Sequence, residues 1–384
     1  MLPRLCILAI MAAAVLGLVG CRRRPAPETA AHASEMQGHT KNAYSHTDSL
    51  IRTMTVEQRV GQLFMPAVYA SDDRATLARI TAYASKHFVG GIILLKGDTK
   101  GARAIADTLR RLSSDPGMWI AIDAETGLAM RLKDAPAVPS AATLGNSADE
   151  KTVYDHARSL ADDCRSTGIN MVLGPVLDVE SDPKGFIGRR SFGADPETVS
   201  RLGIAYALGL EDGGIVSVAK HFPGHGSADE DSHKSLAVIA KPLSYLYEHA
   251  LPPFRSYISA GLSAVMIGHL AVTSIDPEMR SAALSEAVIT DLLRRDLGFS
   301  GLILTDALNM GGARKGYDGD IDPSVAAILA GADIILSPTD TRAGIEAVKR
   351  ALADGTLPDS TLNDRLRRIL TFKRRFLKNQ RRDT

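Results

Sequence analysis

Cysteine is scarce in this chain: Cys6, Cys21 and Cys164 are the only three in 384 residues. Cys6 and Cys21 lie in and at the end of an N-terminal apolar stretch. The remainder keeps Cys164 alone, and an intramolecular disulfide is excluded. Cys164 falls in a helical pattern and is expected to be a small core residue. An excess of either charge is also missing. There are 45 Lys+Arg against 44 Asp+Glu, and residues 1–20 hold Arg4 and no acid, so the rest carries 44 of each. That balance offers no electrostatic footprint for nucleic acid. The one long apolar run, residues 5–19, is short for a membrane-spanning helix. No second domain and no internal repeat beyond a strand–helix alternation stand out.

What is present starts with that run. Met1-Leu2-Pro3-Arg4 supplies a positive start, and Leu18-Val19-Gly20-Cys21 supplies small residues before a cysteine. This is the order of a secretory signal. Its end resembles the bacterial lipobox, which implies that residues 1–20 are removed and that Cys21 is lipidated. A plain signal peptide and an uncleaved anchor are the alternatives. Residues 21–50 have no apolar period and read as a flexible tether. Arg22, Arg23 and Arg24 would sit near anionic headgroups. The expected location is exported and membrane-anchored, on the periplasmic or cell-surface face.

From residue 51 to 384, apolar runs alternate with amphipathic segments. Strands are expected at 63–68, 91–95, 119–123, 170–176, 217–222, 264–269, 301–306 and 333–337. Helices are expected at 74–88, 101–112, 150–167, 196–212, 243–260, 286–297, 323–330 and 342–353. Continuous apolar strands alternating with helices imply parallel strands buried on both faces. Eight such units fit an α/β fold of the (β/α)8 barrel type. A last helix over 361–382 carries Leu362, Leu366, Ile369, Leu370, Phe376 and Leu377 at helical spacing. It is expected to dock on the barrel with a solvated basic face, with adhesion to an anionic surface as the alternative.

The strand ends are polar: Asp123, Asp178, Lys220 with His221, His269, and Asp306. Barrel active sites form at the C-terminal ends of the strands, so these residues converge on one pocket. A carboxylate there can instead cap the next helix. The densest stretch is Lys220-His221-Phe222-Pro223-Gly224-His225-Gly226, followed by Asp231-Ser232-His233. So many titratable groups in a loop after an apolar strand point to binding or catalysis rather than a connector.

That stretch resembles glycoside hydrolase family 3. Other resembling segments are Gly168-Ile169-Asn170 through Pro175-Val176-Leu177-Asp178-Val179 and Ile187-Gly188-Arg189-Arg190-Ser191-Phe192-Gly193-Ala194-Asp195-Pro196. Leu304-Thr305-Asp306-Ala307-Leu308-Asn309-Met310 and Ala330-Gly331-Ala332-Asp333 continue the likeness, in the family's order over residues 51 to about 376. The Lys-His-Phe-Pro-Gly-His-Gly string looks like the β-N-acetylglucosaminidase branch, whose members are often a single barrel. Other branches append a domain that carries the general acid.

The resemblance implies a retaining exo-glycosidase acting on terminal β-linked N-acetylglucosamine, with peptidoglycan fragments as the expected source. Asp306 matches the nucleophile that forms a covalent glycosyl-enzyme. It must stay ionised, and Lys220 and nearby arginines are expected to hold its pKa low. His233, oriented by Asp231, matches the general acid/base. Gly224 and Gly226 are expected to let that loop carry His233 over the sugar. Asp123, Arg131, Arg190, Lys220 and His221 match sugar-binding positions. For Arg131 and Arg190 the alternative is an ion pair bracing a loop. Asp178 and His269 fit as supports behind the site. No metal or organic cofactor is implied, and the expected form is a monomer.

Family members commonly read Asp-Gln-Glu-Gly-Gly where this chain reads Asp123-Ala124-Glu125-Thr126-Gly127. That departure leaves the monosaccharide open. A β-glucosidase, a phosphorylase of other β-glycosides and a non-catalytic sugar-binding lipoprotein are the rival readings. A metal-dependent hydrolase built on His221, His225, Asp229, Asp231 and His233 is a further one, opposed by the Lys220 charge beside them.

Overall fold

The computed structural model describes residues 40–112, 117–228, 236–314 and 320–377. Residues 1–20, Cys21, Asp229, Asp231 and His233 lie outside them. The strands are β1 (Phe64–Met65), β2 (Ala67–Ala70), β3 (Gly91–Gly97), β4 (Trp119–Ile122), β5 (Met171–Val172) and β6 (Val216–Phe222). There follow β7 (Ala237–Ile239), β8 (Ala264–Ile267), β9 (Leu270–Val272), β10 (Leu302–Thr305) and β11 (Ile335–Leu336). One seven-stranded ladder runs β2–β3–β4–β5–β6–β8–β10, and β11 pairs with β1. β1 and β2 form a single stave interrupted at Pro66, whose nitrogen has no hydrogen to donate. A parallel bridge from Leu304 to Ile334 joins β10 to the start of β11. The ring therefore closes, and every pairing in it is parallel. This is the (β/α)8 barrel that the alternation implied.

The reason is visible along each stave. Every residue of β4, β6, β8 and β10 is buried, as a strand covered on both faces requires. At roughly 1.5–3 kcal/mol for each fully buried large aliphatic side chain, these staves dominate the favourable side of folding. The helices that cover them begin at side-chain caps. Asp73, Asp149, Asp195 and Asp340 each accept an N–H from the first turn that follows.

Three details differ from expectation. The strand expected over 170–176 is only Met171–Val172, because Pro175 has no N–H to carry the ladder on. The helix expected over 243–260 is broken, since Pro252 and Pro253 open a new helix at Pro252–Ser259. The last helix is Asp359–Leu377, and its apolar stripe is buried as expected. Its basic side chains are not all solvated, however. Lys373 is fully buried, and Arg368 reaches inward to the buried Asp333 with Nε 2.8 Å from Oδ1.

Candidate active site

Each polar strand end lands on one rim. Asp123 follows β4, Asp178 lies past β5, Lys220 and His221 belong to β6, His269 follows β8 and Asp306 follows β10. Lys220 is buried, and its ammonium donates to Asp123 Oδ1 at 2.9 Å and Glu125 Oε1 at 2.7 Å. Arg131 donates to Asp123 Oδ2. Arg190 donates from Nε to Glu125 Oε2 at 2.8 Å and from Nη2 to Glu125 Oε1 at 2.9 Å. Two carboxylates and three cations thus interlock in a cradle. Arg131 and Arg190 do make ion pairs, and their partners are Asp123 and Glu125 of this cluster. Both guanidiniums also keep a partly exposed edge.

This pairing sets the protonation states. Burial would raise the Asp123 carboxyl, but Lys220 and Arg131 outweigh it and hold it below its ordinary value. Burial likewise opposes the charge on Glu125, and Lys220 with Arg190 drives its pKa well down. Lys220 moves the other way: against burial, Asp123 and Glu125 raise its pKa. Asp123, Glu125, Lys220 and Arg190 stay charged at working pH.

Asp306 is partly exposed on the rim. Its N–H donates to Ile267 O at 2.9 Å, and its Oδ1 accepts the Ala307 N–H at 2.7 Å. Burial pushes its pKa up, but the facing imidazoles of His269 and then His221, the Ala307 N–H and Lys220 together hold it below the ordinary carboxylate value. Lys220 contributes as expected, but the two imidazoles and the Ala307 N–H come before it, and no arginine figures among these leading influences. His269 is buried between Ser281 Oγ, 3.1 Å from Nδ1, and Ala307 O, 3.0 Å from Nε2. It therefore braces the turn that carries Asp306.

The loop holding Asp231 and His233 is anchored on both sides of its undescribed part. On the near side, the His225 N–H donates to Asp178 Oδ1 at 2.6 Å. On the far side, β7 pairs in parallel with β9, three residues against three. The glycines before the undescribed part answer to packing. A Cβ on Gly226 would lie 1.7 Å from Val179 O, and Gly224 has φ +121°. Burial lowers the His225 pKa to about 4, so its ring is neutral. Of the metal-ligand alternative, His221 and His225 are described. Among the described residues no group of three or more His, Cys, Asp or Glu side chains could hold a metal.

A model of the glycosyl hydrolase family 3 N-terminal domain matches residues 55–372. The chain belongs to glycoside hydrolase family 3. Two curated family relatives are close. A β-hexosaminidase of Neisseria meningitidis serogroup C is 36% identical over 258 residues, 65% of this chain and 71% of that protein. Another from Chromobacterium violaceum is 34% identical over 295 residues, 74% of this chain and 81% of that one. Among solved structures, a family 3 β-N-acetylglucosaminidase from Paenibacillus sp. str. FPU-7 is 32% identical with a TM-score of 0.78. It covers 86% of this chain, which spans 64% of that protein's length.

Sequence reasoning missed Glu125 as a site residue. It stands in the altered Asp123–Gly127 segment, two positions after Asp123, and a second acid so close to a strand-end carboxylate was the available signal. The β7–β9 pair also went unseen, because three residues are too few to show a period.

Proposed function

We propose that this protein is a retaining exo-β-N-acetylglucosaminidase that removes terminal β-linked N-acetylglucosamine through a covalent glycosyl–Asp306 intermediate. The observation that carries this reading is an ionised Asp306 on the strand-end rim beside the Asp123–Glu125–Lys220–Arg131–Arg190 cradle. Among the described residues nothing donates a hydrogen bond to Asp306 Oδ2, which leaves that oxygen available to attack an anomeric carbon. The cradle offers charged donors and acceptors to sugar hydroxyls. In the first step Asp306 bonds to the anomeric carbon while His233, oriented by Asp231, gives a proton to the departing oxygen. In the second, His233 takes a proton from water, which releases the sugar with its configuration retained. The β-hexosaminidase names of the relatives support the acetamido sugar.

Replacing Asp306 with Ala is expected to abolish hydrolysis of an aryl β-N-acetylglucosaminide, by about 10⁴-fold or more in kcat. Retained hydrolysis would sink the reading. A direct comparison with the aryl β-glucoside tests the sugar, and one between phosphate and non-phosphate buffers tests water against phosphate as acceptor. The pH profile tests the acid. Asp306 ionises below its ordinary 3.8, so a limb near neutrality belongs to another group. With His233 as acid, kcat/KM falls as pH rises through about 6.5, and His233→Ala removes that limb for a substrate with a good leaving group.

The same proposal places the protein outside the cytoplasm. Residues 1–20 act as a lipoprotein signal, Cys21 carries the lipid and residues 21–50 form the tether, with a monomeric barrel acting on peptidoglycan fragments. Replacing Cys21 with Ala should move the activity from the membrane fraction to the soluble one. Activity that stays with the membrane would remove the lipid anchor from the proposal.

A further inference from the structure

Asp178 is a fully buried carboxylate, and among the described residues no Lys or Arg side chain is hydrogen-bonded to it. Instead it collects donors from the end of β6 and the turn that follows. Its Oδ2 lies 2.7 Å from His221 Nδ1, its two oxygens lie 3.2 and 3.3 Å from the His221 N–H, and Oδ1 accepts the His225 N–H at 2.6 Å. The other ring nitrogen of His221, Nε2, lies 3.3 Å from Arg190 Nη2. A guanidinium has donors only, so the nitrogen that faces it must be the acceptor. An ionised carboxylate is acceptor-only, so the nitrogen that faces Asp178 must carry the proton. Both neighbours select the same form of the ring.

We propose that Asp178 is a positioning residue that locks His221 in its Nδ1–H form, so that the single Nε2 lone pair accepts from Arg190 Nη2 and holds that guanidinium in the sugar cradle against Glu125. This rests on the reading of Arg190 as a sugar-binding group. Around the site, Lys220, Arg131 and Arg190 can only donate. Asp123 and Glu125 accept but are largely engaged by those cations. His221 adds an acceptor that fixes the Arg190 fork while the partly exposed edge of that guanidinium stays free to donate to a sugar hydroxyl. Burial opposes the charge on Asp178, yet His221 and His225 hold its pKa below the ordinary value, so the carboxylate is present to keep this form. The groups that face the pair are Arg190, Lys220, His225, Asp306 and His269. The same carboxylate also fixes the near end of the loop that leads to His233. The register of a sugar-binding residue and the root of the acid/base loop thus share one anchor.

The decisive measurement needs no substrate. In protein labelled with ¹⁵N-histidine and assigned with His221→Gln, the proposal expects a pyrrole-type, protonated Nδ1 and a pyridine-type, bare Nε2 for His221. The reverse pattern, or a doubly protonated ring at neutral pH, overturns it. In Asp178→Asn the carboxamide can still accept the His225 N–H, but its NH2 faces Nδ1 and forces the proton to Nε2, against Arg190. The expected result is an inverted nitrogen pattern and a loss of about 10- to 100-fold in kcat/KM, mainly through KM, the worth of one hydrogen bond to a charged or strongly polar group. In a His221→Ala background the same substitution should cost much less. A loss of equal size in both backgrounds would mean that Asp178 acts otherwise. If Asp178→Asn does not fold, the wild-type spectrum still decides. If neither protein hydrolyses any aryl glycoside, the spectrum tests the lock while the failed assay counts against the proposed function alone.

Discussion

Two lysines are buried at opposite ends of this barrel, and they behave in opposite ways. Lys220, on the C-terminal rim, has two carboxylates within 3 Å and its pKa is raised in spite of burial. Lys373, at the N-terminal end, has among the described residues only neutral oxygens as partners, Gln62 Oε1 at 2.7 Å and Gly117 O at 3.0 Å, and burial lowers its pKa to about 7. Burial disfavours the charge on both ammonium groups, and the partner decides the outcome. The two ends also differ in how their charges are matched. On the rim, Asp123 and Glu125 meet three cations that leave a partly exposed face for a ligand. At the N-terminal end the fully buried Asp333 is bonded by Arg294 at 2.6 Å and Arg368 at 2.8 Å, and Arg365 stands near. That cluster ties the last helix to the staves. Burial lowers Arg294 to about 10 even beside Asp333. The comparison separates a charge cluster arranged for a ligand from one arranged for the fold, in keeping with where function and stability reside in such barrels.

The contrast can be broken most forcefully at Lys220. Replacing it with Met leaves two buried carboxylates short of their central cation. The expected loss is about 3–5 kcal/mol of stability together with about 10²- to 10³-fold in kcat/KM, read by chemical denaturation and by aryl-glycoside kinetics. Wild-type kinetics in that variant would mean the cradle does not bind substrate. Replacing Asp333 with Asn should cost a similar 3–5 kcal/mol while kcat/KM of the folded fraction stays at the wild-type value. An equal fall in kcat/KM would erase the distinction between the two ends.

A finer test is Glu125→Gln, which keeps the shape and removes one charge from between Lys220 and Arg190. KM should rise about 10- to 100-fold, with a loss of stability because the folded state favours the charged carboxylate. The change that leaves activity least affected is Lys373→Met, and its effect is a matter of slope. The unfolded lysine has its ordinary 10.5 and the folded one about 7. Between those values the unfolded chain holds the extra proton, so wild-type stability rises with pH, by at most about 1.4 kcal/mol per unit. Below pH 7 the full penalty is present. The Met variant should lose that slope in denaturation curves taken from pH 7 to 10 and keep its kcat/KM. A slope that survives the substitution would assign it to another group.

Much of the fold could be read directly. Strands buried on both faces announce themselves as unbroken apolar runs, and all the staves fall where such runs occur. Asp123, Lys220, His221 and Asp306 were legible as strand-end polar residues because the barrel sends every strand end to one rim. The boundaries were less legible where Pro66, Pro175 and Pro252 interrupt the backbone, since loss of an N–H changes the ladder without changing the apolar pattern. The basic face of the last helix was misjudged for a related reason. Periodicity tells which side is apolar but not whether a cation on that side finds Asp333 or a carbonyl.

By itself, then, the sequence determined the alternation of strand and helix, the closed parallel barrel that such an alternation favours, and the set of polar groups that face its C-terminal end. Those are local properties of apolar spacing. Only the tertiary structure decided who partners whom. Lys220 meets Asp123 across 97 positions of chain, and Arg190 meets Glu125 across 65. Asp306 depends on His269 and His221 more than on the lysine that seemed placed for it, and Lys373 ends in a cavity of neutral oxygens. Charge in a low-dielectric interior takes its meaning from contacts of about 3 Å, and those contacts exist only once the ring has closed.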